Sequence, residues 1–318
     1  MPEFCVTGGN GFIAAYLVKA LLEKGYTVRT TVRNPDLEKV GYLTQLSGDK
    51  ERLKILKADL LVEGSFDEAV IGVDGVFHTA SPVLVPYDNN IQATLIDPCI
   101  KGTKNVLNSC AKANVKRVVL TSSCSSIRYR DDVQQISPLN ESHWSDPDYC
   151  KRHNLWYAYA KTVGEREAWK IAKENDIDLV VVNPSFVVGP LLTPHPASTL
   201  YIILNIIKGL KGEYPNTTVG FVHIDDVIEA HLLAMEEPKA SGRLICSGPV
   251  AHWSQIIEML RAKYPSYPYE SKCSNHEGDN GTHSMDTTKI TQFGFPPFKT
   301  LEQMFDDCIK SFQDKGFL

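Results

Sequence analysis

The sequence predicts an α/β fold with a doubly wound parallel sheet, followed by a smaller C-terminal region. Three features of the 318-residue chain support this prediction. The first 33 residues read as strand, glycine-rich turn, helix and strand. Short apolar runs then alternate with amphipathic segments as far as Ser185, a pattern typical of a parallel sheet covered by helices on both faces. Beyond Ser185 the chain has frequent Gly and Pro residues and shorter elements, so we predict domains over residues 1–185 and 186–318, partly interleaved.

A glycine-rich turn, Gly8-Gly9-Asn10-Gly11, joins the first strand to the first helix. Without Cβ atoms, the backbone can turn sharply and a diphosphate can approach the N–H groups at the helix N-terminus. The spacing from Gly8 to Gly11 is one residue off the usual G-x-G-x-x-G fingerprint, and an ordinary glycine turn is the alternative interpretation. Because a strand precedes the turn and an amphipathic helix follows it, we interpret the unit as a Rossmann nucleotide-binding βαβ.

The second strand ends on Arg33, which indicates the type of nicotinamide cofactor. An acidic residue at this position would bind a free ribose 2′-hydroxyl, whereas an arginine suits a 2′-phosphate. Lys39 can add a second positive charge, although a single lysine in a solvated loop is more often only a surface residue. Asp36 and Glu38 lie close by and weaken this preference. The sequence therefore predicts NADPH as the cofactor.

The remaining elements follow from hydrophobic periodicity. Within the first domain, we predict strands over residues 53–58, 76–81, 116–123 and 179–182 and helices over 65–71, 98–114 and 155–175. In the C-terminal region, we predict helices over residues 202–208, 227–236, 254–263 and 301–312 and strands over 219–224 and 243–246. The carboxyl ends of the first set of strands should meet at one edge and open a cofactor crevice there.

Composition and charge exclude several classes of function. The net charge is −5 without a long basic run, so nucleic acid is not an expected partner. We find neither a signal-peptide pattern nor an apolar run long enough to span a membrane, and we expect a cytoplasmic protein. The eight cysteines are scattered without a C-x-x-C pair, which predicts reduced thiols and neither a disulfide framework nor a metal site.

Tyr157 and Lys161 are the strongest candidates for catalysis, because their spacing places them one turn apart on one helix face. A carbonyl that accepts hydride needs a proton, and a nearby ammonium lowers the pKa of a phenol that would supply it. Ser123, at the end of a predicted strand, can hydrogen-bond the carbonyl oxygen. A tyrosine and a lysine at this spacing usually mean only packing and surface charge, but the glycine-rich start favours the catalytic interpretation. Tyr159 has no lysine four residues on, so we interpret it as a packing residue.

We predict structural roles, and not catalytic ones, for three histidines and a pair of aspartates. His78, His223 and His231 lie in or beside predicted elements, where packing or capping is a more common role than catalysis. The Asp225-Asp226 pair is more simply an N-cap for the helix predicted from residue 227 than an acid–base pair.

Several motifs run from one end of the chain to the other: VTGGNGFIAAYLVKALLEKGYTVRTTVR, DGVFHTASPV, RVVLTSSCSS, the YAYAK segment at 157–161, VVNPSFVVGP and FVHIDDV. With these motifs the chain resembles an extended short-chain dehydrogenase/reductase of the plant group that contains dihydroflavonol reductases and cinnamoyl-CoA reductases. The resemblance implies that Ser123, Tyr157 and Lys161 are catalytic, with Lys161 also holding the nicotinamide ribose. It implies the following cofactor contacts: Gly8, Gly11, Phe12 and Ile13 for the diphosphate, Arg33 and Lys39 for the 2′-phosphate, Asp59 and Leu60 for the adenine, and Thr79, Ala80, Ser81, Pro184 and Val187 beside the nicotinamide. Asn105 is a further match to a family asparagine.

Departures from the two best-known groups narrow the substrate. Ala158 and Ala160 differ from the cinnamoyl-CoA reductase pattern around the tyrosine, and the segment 124–130 differs from the dihydroflavonol reductase pattern after the serine. The segments HTASPVLVPYDNNI, TSSCSSIRYRDD and NESHWSDPDYCKRHNLWYAYAK, together with VAHW, most resemble the tetraketide α-pyrone reductases of sporopollenin precursor synthesis.

That resemblance implies a polyketide carbonyl substrate and a loose association with other enzymes of the same pathway. We expect an apolar lining for its alkyl tail from Phe186, Val187, Leu191, Leu192, Leu200, Tyr201, Ile202 and Ile203, several of which will belong to the core. Cinnamoyl-CoA-like or dihydroflavonol-like substrates are the alternatives. Two rival functions are a sugar-nucleotide epimerase and a non-catalytic dinucleotide sensor. Arg33 argues against the epimerase, which usually has an acidic residue at that position. The presence of Ser123, Tyr157 and Lys161 argues against the sensor.

Overall fold

A computed structural model describes residues 1–46, 51–82, 90–196, 198–275 and 282–318, apart from the side chains of residues 37–39. The strands are β1 (Glu3–Thr7), β2 (Thr27–Val32), β3 (Leu53–Lys57), β4 (Gly75–His78), β5 (Arg117–Thr121), β6 (Asp178–Pro184), β7 (Phe186–Val188), β8 (Glu213–Tyr214), β9 (Thr218–His223), β10 (Gly242–Cys246), β11 (Val250–His252) and β12 (Lys272–Cys273). The helices are α1 (Phe12–Glu23), α2 (Leu37–Leu46), α3 (Asp67–Val70), α4 (Asp97–Lys112), α5 (Pro147–Arg152), α6 (Trp156–Glu174), α7 (Ser198–Lys208), α8 (Ile224–Glu236), α9 (Trp253–Lys263), α10 (Thr288–Thr291) and α11 (Leu301–Asp314).

A seven-stranded sheet in the order β10-β6-β5-β4-β1-β2-β3 forms the centre of the fold, and all of its pairings are parallel. The order reverses between β1 and β4, as in a doubly wound sheet, so the predicted fold class is confirmed. Strands β4 and β5 lie inside the sheet and are almost entirely buried, which explains why their sequences are apolar without alternation.

The C-terminal half contributes both to this sheet and to a second layer. A three-stranded sheet in the order β11-β9-β7 and a two-stranded sheet of β12 and β8 lie outside the main sheet. Strand β10 and helix α8, however, pack directly on the first domain, where β10 pairs with β6. The domain boundary at Ser185 therefore stays a prediction. The two predicted domains are interleaved at least at β10, which belongs to the C-terminal region but pairs with β6.

Most predicted elements are present, with shifted ends. The polar segment after Arg33 contains α2, which was not predicted. The elements α5, α10, β7, β8, β11 and β12 were not predicted either, because elements this short carry little periodicity. Helix α8 begins at Ile224 rather than at residue 227. Its N-cap is His223, whose ring accepts a hydrogen bond from the Asp225 amide, so the expected capping role of the Asp225-Asp226 pair was wrong.

Two further expectations concern the cysteines, predicted to be reduced thiols, and a membrane span, which was not predicted. All eight cysteines lie within the described ranges as free thiols, and seven of them are buried. Within those same ranges, no helix combines the length and the apolar character needed to cross a bilayer.

Two buried histidines form hydrogen bonds with strands of the main sheet. His231 of α8 accepts a hydrogen bond at Nε2 from the Thr121 hydroxyl of β5 (2.7 Å). Its Nδ1 lies 2.7 Å from the Val227 carbonyl oxygen, which can only accept, so Nδ1 carries the proton. His78 of β4 bonds the Thr7 hydroxyl of β1 through Nδ1 (2.9 Å). Burial lowers the pKa of His78 to about 3 and that of His231 to about 4, so both rings are neutral, in agreement with a structural role.

We predict that these buried rings make the protein less stable in mild acid. The unfolded chain binds a proton at His231 below pH ~6.5 while the folded chain does not, so this stabilisation is complete above pH ~6.5 and is lost as the pH falls towards 4. For His231 alone the loss amounts to about 3 kcal/mol at most. The free energy of unfolding, from urea titrations between pH 7 and 5, should fall less steeply in His231→Gln than in wild type. His153→Gln, which changes an exposed ring, is the control, and equal slopes for His231→Gln and wild type would contradict the prediction.

Candidate functional site

A cleft of about 640 Å³ runs along the carboxyl edge of the main sheet. Loops after β1, β3, β4 and β5 and the ends of β2 and β6 all contribute to its wall. The lining includes every predicted catalytic and cofactor residue except Lys39: Gly8, Gly11, Phe12, Ile13, Arg33, Asp59, Leu60, Thr79, Ala80, Ser81, Ser123, Tyr157, Lys161, Pro184 and Val187. The side chain of Lys39 lies outside the described residues. The cleft thus brings together residues that are up to 179 positions apart (187 − 8).

The glycine turn is shaped by close contacts on both sides. Gly8 has a φ of +76°, and a Cβ there would lie 3.0 Å from the Ala80 Cα. A Cβ at Gly9 would lie 2.1 Å from the Thr30 hydroxyl oxygen, so only glycine fits at this position. The sequence analysis did not single out Gly9, because its role depends on a neighbouring strand. Gly11 is the N-cap of α1 and provides no side-chain cap for the helix amides, which suits a bound anion.

Thr7 fixes the glycine turn to the loop after β4. Its hydroxyl oxygen accepts hydrogen bonds from the amides of Thr79 (3.1 Å) and Ala80 (3.0 Å). Because two donors already point at this oxygen, its proton is directed to His78 Nδ1. The Thr79 hydroxyl in turn donates to the Thr7 carbonyl. The two loops that form the middle of the cleft therefore move as one unit.

The far end of the cleft carries the residues predicted for the ribose phosphate and the adenine. Arg33 lines the cleft at the end of β2 and is exposed. The loop with Asp59 and Leu60 follows β3, and the Asn105 amide donates to the Leu60 carbonyl (2.8 Å). Asn105 itself does not line the cleft, so the structure gives it the role of supporting this loop.

Ser123, Tyr157 and Lys161 meet on the wall between β5 and α6. The Ser123 hydroxyl forms a hydrogen bond with the Tyr157 side chain and also accepts from the Ser125 amide (3.0 Å). The Lys161 ammonium lies 5.9 Å from the centre of the Tyr157 ring and donates to the Thr121 carbonyl (3.2 Å). Tyr159 packs against Trp156 and lies under the Lys151 ammonium, away from the cleft lining.

Burial controls the ionisation of this group. It raises the pKa of Tyr157 above the ordinary value of a phenol, more than the hydrogen bond from Ser123 lowers it. The net shift is therefore opposite to the one expected from Lys161, since the cost of desolvating a phenolate dominates. Burial also lowers the pKa of Lys161, while the Glu165 carboxylate opposes that shift. The phenol is thus protonated at neutral pH, which is the form that a proton donor needs.

The other end of the cleft, beyond Tyr157, is mainly apolar. Of the eight apolar residues expected there, Phe186, Val187 and Ile202 line the cleft. Leu191, Leu200 and Ile203 belong to the buried core instead, Leu192 packs on another core cluster, and Tyr201 is exposed. Arg128 and Tyr129, from the segment 124–130 that sets this chain apart from dihydroflavonol reductases, also line this end. The sequence analysis did not identify Val219, Gly220 and Met285 as lining residues, because parts of the chain distant in sequence supply them.

The two alanines that depart from the cinnamoyl-CoA reductase pattern do not face this cleft. Ala158 is 2% exposed and Ala160 is fully buried. Ala160 packs in a cluster with Leu95, Ile96 and Cys99. Both alanines therefore belong to the packing of α6 and do not contact the main cleft.

Sequence comparisons agree with the family resemblance. Residues 4–245 match the NAD dependent epimerase/dehydratase family. The chain is similar to tetraketide alpha-pyrone reductase 2 of Arabidopsis thaliana, with 73% identity over 321 aligned residues that cover both chains completely. It is also similar to cinnamoyl-CoA reductase 1 of Petunia hybrida, with 45% identity over 99% of this chain and 93% of that protein.

Solved structures with the same fold include vestitone reductase and Gre2. Vestitone reductase from alfalfa (Medicago sativa) superimposes with a TM-score of 0.83 and 33% identity, and the match covers both chains completely. Gre2 from Candida albicans, in a complex with NADPH, gives a TM-score of 0.82 and 25% identity over 99% of each chain.

Proposed function

The chain belongs to the NAD dependent epimerase/dehydratase family, and from this we propose that it is an NADPH-dependent reductase that converts a ketone to a secondary alcohol. One observation carries the proposal: Ser123, Tyr157 and Lys161 lie together in the cleft that begins at the glycine turn. The hydrogen bond between Ser123 and Tyr157 shows that the two hydroxyl groups lie beside each other, so that a carbonyl oxygen bound between them can accept from both in place of that bond.

The residues of the cleft fit the cofactor. The tight glycine turn and the uncapped start of α1 suit a diphosphate, and Arg33 suits a 2′-phosphate. Asp59 and Leu60 would hold the adenine, and the segment 79–81 together with Pro184 and Val187 would border the nicotinamide. The NADPH complex of the Candida albicans relative supports the same choice. NADPH, when bound, supplies the hydride.

The side chains supply the proton and the orientation. The Ser123 hydroxyl donates a hydrogen bond to the substrate carbonyl oxygen and stabilises the negative charge that develops there. The Tyr157 phenol, which its raised pKa keeps protonated, transfers its proton to that oxygen. Lys161 holds the nicotinamide ribose and stabilises the phenolate that the transfer leaves behind. Hydride and proton together account for the alcohol, so no further reactant is needed.

A ketone on the alkyl chain of a tetraketide α-pyrone is the proposed substrate. The 73% identity with tetraketide alpha-pyrone reductase 2 over the full length, against 45% with a cinnamoyl-CoA reductase, supports this choice. Phe186, Val187 and Ile202 provide an apolar surface for an alkyl chain, and the buried Arg128 side chain lines the same end, where it suits the oxygens of the ring. Reduction of a cinnamoyl-CoA thioester or of a dihydroflavonol is the alternative, because the chain is also similar, at lower identity, to enzymes named for those substrates.

We place this reaction in sporopollenin precursor synthesis in the cytoplasm, in loose association with other enzymes of that pathway. The eight free thiols, seven of them buried, suit a reducing compartment. Because the proposed substrate already contains the α-pyrone ring, this reduction follows the reaction that forms the ring.

The first prediction of this proposal concerns the proton donor. Tyr157→Phe should fold and bind NADPH normally but lose about 10²–10⁴-fold in kcat, because general acid catalysis is removed. Steady-state rates of NADPH oxidation with a saturating ketone test this. Tyr159→Phe is the matched control on the same helix, and the assignment is wrong if Tyr159→Phe is the inactive variant.

The second prediction concerns cofactor choice. A charge-assisted contact between Arg33 and a 2′-phosphate contributes about 1.5–3 kcal/mol, so wild type should prefer NADPH to NADH by about tenfold to a hundredfold in kcat/KM. Arg33→Ala should lose most of this preference, while Arg152→Ala, at an exposed site on α5, should keep it. Equal kcat/KM values for the two cofactors in wild type would exclude the proposed role.

The third prediction concerns the substrate. Purified enzyme with NADPH should reduce a tetraketide α-pyrone in preference to a cinnamoyl-CoA thioester or a dihydroflavonol. NADPH oxidation and product mass, measured in parallel reactions, distinguish the three. A clear preference for either of the other two compounds would overturn the α-pyrone assignment and leave the reductase function in place.

A further inference from the structure

A buried ion pair lies behind the catalytic residues. Glu165 is one helical turn beyond Lys161 on α6, and its side chain is 1% exposed. Arg243 of β10, with 5% exposure, places its Nε 2.6 Å from Glu165 Oε1. Taking a charge pair out of water is costly, and the attraction of the two charges offsets this cost only where further hydrogen bonds satisfy the pair.

The second oxygen of this carboxylate is the centre of a hydrogen-bond network. Glu165 Oε2 accepts from the Ser122 hydroxyl (2.5 Å), the Ser126 hydroxyl (2.6 Å) and the Asn183 amide (3.0 Å). These donors come from three elements: the end of β5, the turn that follows it, and β6. Such a network fixes the relative positions of the elements that supply its members.

The Asn183 side-chain amide also holds the backbone of Ser123, because its second N–H group can donate to the Ser123 carbonyl oxygen (3.2 Å). The Ser126 hydroxyl, which has a single proton to donate, lies within reach of both the Glu165 carboxylate and this carbonyl oxygen (2.8 Å). Glu165 therefore orients the groups that fix the turn on which the Ser123 hydroxyl is carried. Because Glu165 and Tyr157 belong to the same helix, the network also sets how that turn lies against the Tyr157 phenol.

We infer that Glu165 is a positioning residue, which fixes the turn bearing Ser123 against helix α6 so that the Ser123 and Tyr157 hydroxyls meet one carbonyl oxygen. Glu165 does not line the main cleft, so it acts through Ser122, Ser126 and Asn183 and not on the substrate. The inference rests on the proposed function, in which Ser123 binds that oxygen. Arg243 balances the buried charge and connects the network to the C-terminal half of the chain.

The test combines Glu165→Gln with Ser123→Ala. Glu165→Gln keeps the shape of the side chain but replaces one acceptor oxygen by an amide, and we expect kcat for the ketone to fall about tenfold through misplacement of Ser123, with the KM for NADPH unchanged. In Ser123→Ala there is no hydroxyl left to position, so adding Glu165→Gln should change kcat by less than about twofold. Glu174→Gln, at an exposed position of the same helix, should match wild type.

The outcomes separate this inference from the proposed function. If the Glu165→Gln loss is as large in the Ser123→Ala background as in wild type, or if Glu165→Gln alone has the wild-type kcat, the positioning role is wrong. If Ser123→Ala itself has the wild-type kcat, the proposed function of Ser123 fails first. Should Glu165→Gln not fold, as judged by circular dichroism, Ser126→Ala removes one shared donor and must show the same non-additivity with Ser123→Ala.

Discussion

The cleft depends on the close approach of the glycine turn to strand β2 and to the loop after β4. A Cβ at Gly8 would meet Ala80 and a Cβ at Gly9 would meet Thr30, so neither position has room for a side chain. Thr7 adds a hydrogen-bonded connection from the same turn to the loop after β4. These contacts fix the position of the start of α1 relative to the sheet edge. They therefore also fix the distance from the proposed diphosphate site at the start of α1 to Tyr157 and Lys161. A larger residue at Gly9 would change both.

Burial has two different effects along helix α6. At the main cleft, it keeps the Tyr157 phenol protonated and disfavours the charge on Lys161. One turn further along the helix, Glu165 and Arg243 are buried together as an ion pair, and the Ser122 and Ser126 hydroxyls add hydrogen bonds to the carboxylate. The same low dielectric thus favours neutral groups at the proposed proton donor and strengthens ionic contacts in the network behind it.

Local sequence signals predicted the fold class and which residues meet in the cleft. The glycine turn, the arginine at the end of β2 and the i, i+4 pair on α6 are each encoded within a few residues, and the structure places Gly8, Arg33, Tyr157 and Lys161 along one cleft. The periodicity also predicted most strands and helices of the main sheet in their order along the chain, but not that β10 joins this sheet. What it missed was either short, such as α5, or set by partners distant in sequence.

Gly9 and Glu165 illustrate that second limit. Gly9 reads as one more glycine of a flexible turn until Thr30 is placed beside it, and Glu165 reads as a polar residue of an amphipathic helix. Its partners at Ser122, Asn183 and Arg243 are 18 to 78 positions away. No periodicity in a single segment can indicate such a network, because the helix pattern is equally compatible with a solvated carboxylate at that position.

The same reasoning explains how one scaffold can serve different carbonyl substrates. The residues proposed to bind the cofactor and to transfer the proton lie on the sheet edge and on α6, where the close packing described above leaves little freedom. The apolar end of the cleft is built instead from β7, α7, the segment after β5 and Met285, which belong to separate parts of the chain. Ala158 and Ala160 show a further route, because they are buried and still differ from the cinnamoyl-CoA reductase pattern. Changes in α6 packing can therefore shift Tyr157 relative to a substrate without altering any residue that contacts it.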